Sequence, residues 1–168
     1  MVVNVGGLKK PKISSQQAAT SGEKGKEIRI VTRHVVTVND VVKNPRLIKL
    51  LYLISLSNNG LSEKALSHLV YNIEKEQKGR FGYGFTLVGD TPVSKELLND
   101  LTTLKYTGLV EVSIKNRKLY VTSGGREILD KTIESIKTDI DALKKSFEET
   151  WPKIAPIDVE AGLKASRR

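Results

Sequence analysis

Residues 104–129 read LKYTGLVEVSIKNRKLYVTSGGREIL. Gly108 closes a helical stretch, because a residue without Cβ is the cheapest helix stop. Leu109 to Ile114 and Leu119 to Thr122 are rich in β-branched residues, and the polar run Lys115-Asn116-Arg117-Lys118 lies between them. That pattern predicts a hairpin with a cationic turn. A new helix opens at Gly125.

Working back from the hairpin, three helices precede it. Asn44-Pro45 supplies a cap and an N1 proline, and Leu47, Leu50, Leu51 and Ile54 recur at helical spacing to about Ser57. Asn58-Asn59-Gly60 stops that helix. Ser62 caps a second, to about Gln77, with Ala65, Leu66, Leu69, Val70 and Ile73 on its apolar face. Thr91-Pro92 repeats the cap-then-proline signal and predicts a third helix to about Tyr106. Its Val93, Leu97, Leu101 and Leu104 face inward, and Lys95, Asn99, Thr102 and Tyr106 face outward. Between the second and third helices, Arg80 to Asp90 alternates aromatics with glycines and reads as a short strand or extended loop. Ile28 to Val38 reads as a leading strand.

Working forward, Leu129, Ile133, Ile136, Ile140, Leu143 and Phe147 are spaced 4, 3, 4, 3, 4. This is the period of a coiled-coil seam. It predicts a dimerisation helix over 126–151 and a homodimer; the alternative is a helix folded back on its own core. Trp151-Pro152 is expected to end it, leaving a loose tail over 152–168.

The expected fold class is therefore α+β, mainly α: a winged helix-turn-helix over 28–125 with its leading strand, then a coiled-coil-like helix. Residues 1–27 are poor in large apolar side chains and are expected to form a disordered basic arm carrying Lys9, Lys10 and Lys12.

Composition narrows the function. The chain has 168 residues, no cysteine and two histidines without ligand neighbours, so neither a disulfide nor a metal site is expected. No apolar run suits a membrane span or a signal peptide, so a cytoplasmic protein without a membrane partner is expected. Absent cysteine, one methionine and many Ile, Lys and Glu suit a thermophile. No phosphate loop, catalytic cluster or dinucleotide fingerprint is present, so no enzyme and no cofactor are expected. The net charge is +9, carried by the leading arm and the centre and not by residues 126–168. Such a distribution suits a polyanion, though a solubility surplus gives the same charge.

The run from Leu104 resembles the end of MarR- and PadR-type winged helices, through Gly108-Leu109-Val110, Tyr120-Val121-Thr122 and Gly125-Arg126-Glu127-Ile128-Leu129. KLLYLISLSNNG followed by FGYGFTLVGDTPVSKELL is similar to YwgA-type winged helices, which carry an extra extended segment before the third helix. The layout, not the motif, is also similar to small chromatin proteins of crenarchaea.

The resemblance implies a transcriptional regulator or chromatin-associated factor on duplex DNA, nucleoid-associated in the cell. The wing residues Lys115, Asn116, Arg117 and Lys118 would meet phosphates, and Ser94, Lys95, Asn99, Thr102 and Thr103 of the third helix would approach bases. Two other readings stand beside it. The long insertion and the mixed charge of the third helix suit a module that contacts protein in a larger assembly. Phe81-Gly82-Tyr83-Gly84-Phe85 approaches an RNA-recognition motif, in which Tyr52, Tyr83 and Phe85 would stack on bases. Packing of those aromatics in the core is the plainer account.

Overall fold

Asn44 caps the central helix as its sequence predicts: its side chain accepts the Arg46 N–H at 3.1 Å. A computed structural model describes residues 35–77 and 81–167. In it α1 spans Val38–Val42, α2 Pro45–Ser55 and α3 Glu63–Gln77. Strands β1 (Thr86–Val88) and β2 (Thr91–Val93) follow, then α4 (Lys95–Tyr106). Strands β3 (Val110–Val112) and β4 (Leu119–Val121) precede α5 (Ser123–Thr132) and α6 (Lys137–Ser166). The described chain is mainly helical, with two short antiparallel hairpins, β1–β2 and β3–β4. Among the described residues no helix is long and apolar enough to cross a membrane.

Helix α2 is the centre of the core. Leu50, Leu51 and Leu53 are fully buried, and α2 packs against α1, α4, α5, α6 and β4. Each such leucine contributes roughly 1.5–3 kcal/mol by leaving water. Gly60 then turns the chain at φ +76, with the Tyr120 ring where a Cβ would sit. Leu61 forms an isolated bridge to Leu119, its N–H donating at 3.1 Å and its carbonyl accepting at 2.8 Å. Ser62 caps α3 by accepting the Ala65 N–H at 3.2 Å. The predicted apolar face of α3 is buried residue for residue.

The sequence reading fails in four places. Thr91-Pro92 does not start a helix. Residues 91–93 pair with 86–88 across a Gly89-Asp90 turn, so their backbone is already used in a ladder. Ser94 caps α4 instead, accepting the Leu97 N–H at 3.3 Å, and Val93 faces outward. The leading strand is not found where it is described: Val38 opens α1, capped reciprocally by Thr37 and Asp40. Its residues 28–34, like the arm over 1–27, lie outside the described residues.

The helix expected to dimerise is interrupted. A 3₁₀ turn over Ile133–Ile136 separates α5 from α6, and Ile136 leaves helical geometry at φ −125, ψ 26. The seam residues therefore do not share one straight helix. Leu129, Ile140, Leu143 and Phe147 are buried within the chain, and Ile133 and Ile136 are half-buried. Helix α6 lies along α3 and α2, so the 4-3-4-3-4 pattern packs on this chain's own core.

The tail is not loose. Helix α6 continues through Pro152 and Pro156 to Ser166. An interior proline costs about 3 kcal/mol by losing a backbone bond and clashing with the preceding turn. Here both prolines are exposed, while Phe147 stacks on Trp151 at 5.2 Å, Ile154 is buried between the prolines and Asp158 is buried beyond them. Burial on the inner face offsets the defect on the outer one.

Candidate nucleic-acid interface

Two elements carry the residues expected to touch nucleic acid. Helix α4 presents Lys95, Asn99 and Thr102 to solvent, with Thr103 half-buried. The two threonine hydroxyls donate back to their own helix, Thr102 to the Leu98 carbonyl at 2.7 Å and Thr103 to the Asn99 carbonyl at 3.0 Å. Ser94 is 2% exposed and occupied as the cap, so it cannot reach a base. Lys105 pairs with Glu63 of α3. The same outer face exposes Leu98 and Tyr106, the latter to 68%.

The β3–β4 loop, expected to be a wing tip, spans residues 113–118 and is closed by paired backbone bonds between Ser113 and Lys118 and between Arg117 and Ser113, each 2.9 Å. Its four expected contact residues divide into two pairs. Lys115 and Arg117 are exposed. Asn116 is structural: its amide donates to the Tyr120 hydroxyl at 3.1 Å and its carbonyl accepts the Lys118 N–H at 3.1 Å. Lys118 is turned inward. Its ammonium meets the Asp158 carboxylate at 2.5 Å, and only 14% of its side chain is exposed. Of the four, only Lys115 and Arg117 present exposed charge at the tip, beside an almost fully exposed Ile114.

Asp158 was not legible as a site residue, because it sits in the stretch expected to be a loose tail. Its other oxygen accepts the Ser62 N–H at 2.7 Å. One carboxylate thus ties the start of α3, the β3–β4 loop and the distal half of α6.

A second polar node joins α2, α4 and the insertion. Arg46 pairs with Asp100 at 2.7 Å, and the Tyr83 hydroxyl donates to the same carboxylate at 2.8 Å. The Arg46 guanidinium lies 5.0 Å from the Tyr83 ring centre, and Phe81 stacks on Tyr83 at 5.6 Å. Glu74 holds the insertion's entry by accepting the Phe81 and Gly82 N–H groups at 2.6 and 2.8 Å. These contacts correct the base-stacking expectation. Phe81 and Tyr83 are 6% and 7% exposed, Phe85 packs edge-on to Tyr71, and Tyr52 lies in a helix, not a strand. These aromatics form no open platform for a base.

Burial and the bond to Asp100 push the Tyr83 hydroxyl well above the ordinary tyrosine range. The unfolded chain, with its tyrosines ionising near pH 10, therefore loses this proton first. Stability contributed here is complete below about pH 10 and falls as pH rises beyond it. In a near-ultraviolet absorbance titration, the wild type and Tyr83→Phe should give superimposable curves until the fold melts. A phenolate increment absent from the variant near pH 10 would show Tyr83 to be solvated.

The described residues hold 18 Lys and Arg against 17 Asp and Glu, so the folded part is almost neutral. The rest of the +9 resides in residues 1–34, 78–80 and 168, including Lys9, Lys10 and Lys12, all outside the described residues. Cations do converge at one place. Arg117 of the β3–β4 loop, Lys164 near the end of α6 and Arg167 just past it line a cleft of about 490 Å³, with Ala165. No protein-family model matches the chain, and neither a curated protein nor a solved structure matches it.

Proposed function

We propose that this chain is a winged-helix protein that binds duplex DNA, as a transcriptional regulator or a chromatin-associated factor. The observation that carries the reading is the Leu61–Leu119 bridge, which makes Leu61 a third extended partner of the β3–β4 ribbon. The order α2, α3, α4, ribbon is then that of a winged helix. Helix α4 occupies the position of the groove-reading helix, with Lys95, Asn99 and Thr102 outward, and Lys115 and Arg117 stand at the ribbon's tip. Phosphate contacts supply most of the affinity and make it salt-dependent.

A titration of a labelled random-sequence duplex at several salt concentrations tests this. The Lys115→Ala, Arg117→Ala double variant should bind more weakly and flatten the log K against log salt slope by about 2, close to one for each phosphate no longer neutralised. Unchanged affinity and slope would remove the wing from the interface.

A specific observation favours a second reading, a module that contacts protein. The folded part is nearly neutral, and the outer face of α4 carries exposed Leu98 and Tyr106 close in sequence to an exposed Leu87 and Val88. Absence of any duplex shift at micromolar protein and low salt would favour this reading.

A further inference from the structure

We infer that the cleft between the wing tip and the last turn of α6 holds a backbone phosphate of the same duplex, so that α6 is part of the interface. This rests on the DNA reading above and adds to it a contact surface from the C-terminal stretch.

Four cations from three elements meet here. Arg117 comes from the wing, Lys164 and Arg167 from α6, and Lys64 from the first turn of α3, which lines the adjoining hollow with Arg117 and Ala165. Two acids stand among them: Glu160, paired with Lys164 at 2.5 Å, and Glu63, paired with Lys105. The cluster keeps an excess of positive charge. A simpler account covers part of it, since Lys164 and Arg167 near a helix C-terminus complement the carbonyl end of the dipole. Glu160, which feels both Lys164 and Lys64, answers part of the rest. Arg117 has no carboxylate partner among the described residues. Like charges brought together from separate elements repel unless an anion lies between them.

The backbone points the same way. Arg117 sits at φ 54, the left-handed region where glycine or asparagine is the cheap choice. It is the one non-glycine residue with positive φ among the described residues. An arginine thus occupies the left-handed position that closes the loop, where a glycine or asparagine would fit at less cost, and it lines the cleft beside the end of α6. The small Ala165 lines the cleft and, with Ala161, the adjoining hollow, which keeps the α6 side low. An arginine fork suits phosphate oxygens, and lysine adds a point charge.

The test uses the full chain and a random-sequence duplex at graded salt. Lys164→Ala with Arg167→Ala should weaken binding several-fold and lower the salt slope by about 1, as expected when one phosphate leaves the interface. Reversing both to glutamate should weaken it further. Lys144→Ala with Lys145→Ala serves as the control, because those exposed residues lie about 30 Å away along α6. Circular dichroism establishes that each variant is folded. If the wild type binds and the α6 pair leaves its slope unchanged, or if the control pair lowers the slope equally, the cleft is not a phosphate site. If the wild type itself shows no salt-dependent duplex binding, the DNA reading fails and the cleft assignment falls with it.

Discussion

Asp158→Ala should lower the unfolding free energy by about 3–5 kcal/mol, the usual cost of removing one partner of a buried ion pair. The side chain is 5% exposed and has two occupied oxygens. One receives the Ser62 N–H and the other the Lys118 ammonium. Alanine would leave a backbone donor and a mostly buried cation without these partners, and both carry desolvation costs. Asp158→Asn should cost less, because its carbonyl can still accept from Ser62 while only the charge is removed. Urea denaturation of the two variants gives the ranking directly. A loss under about 1 kcal/mol for alanine would put Asp158 among ordinary surface pairs and break the link between α6 and the wing.

That carboxylate also shows where sequence reading stops. Lys115, Arg117 and Lys118 are equivalent when read along the chain: three cations in one turn. What separates them is a partner 40 residues on, in a segment whose two prolines argue against helix. Propensity was overridden there by burial of Ile154 and Asp158 on the inner face of α6. The same competition decided Ser94. Both Thr91 and Ser94 are acceptable caps, and pairing of 91–93 with 86–88 selected the second. By contrast, the faces of α2, α3 and most of α4 were legible, because their leucines repeat at helical spacing, and α2 and α4 are followed by the turn residues Asn58-Asn59-Gly60 and Gly108. The hairpin β3–β4 was legible for the same local reason. The Arg46–Asp100 pair spans 54 positions and leaves no periodic trace.

The consequence for the interface is that charge must be counted after folding. Arg46, Lys49, Lys105 and Lys118 are all engaged with carboxylates of other elements, and their charges are largely cancelled. Lys95, Lys115, Arg117, Arg126 and Arg167 are exposed, and among the described residues no ion pair engages them. The proposed interface is therefore defined by where the exposed cations lie, at the β3–β4 tip and the end of α6, and the salt slope of variants at those positions reads their share.

Leu143→Ala should cost about 2–5 kcal/mol, the range for a buried leucine whose cavity cannot fully collapse. Leu143 is 1% exposed inside a single chain, between α6 and the core that α2 and α3 form. The distinguishing feature is how the loss depends on concentration. If this residue packs within its own chain, the midpoint of thermal unfolding for wild type and variant is independent of protein concentration, and both elute as monomers at the loading used. If the 4-3-4-3-4 pattern instead joined two copies, the wild-type midpoint would climb with concentration by mass action, and the variant would dissociate before it unfolded. A heptad period of 3.5 and a helical period of 3.6 diverge by only about 20° per heptad, so over this length the pattern is the same for both arrangements. The interruption at Ile133–Ile136 separates them: a seam that must cross a 3₁₀ turn cannot stay in register with a straight partner, whereas a helix released by that turn can lie along α3.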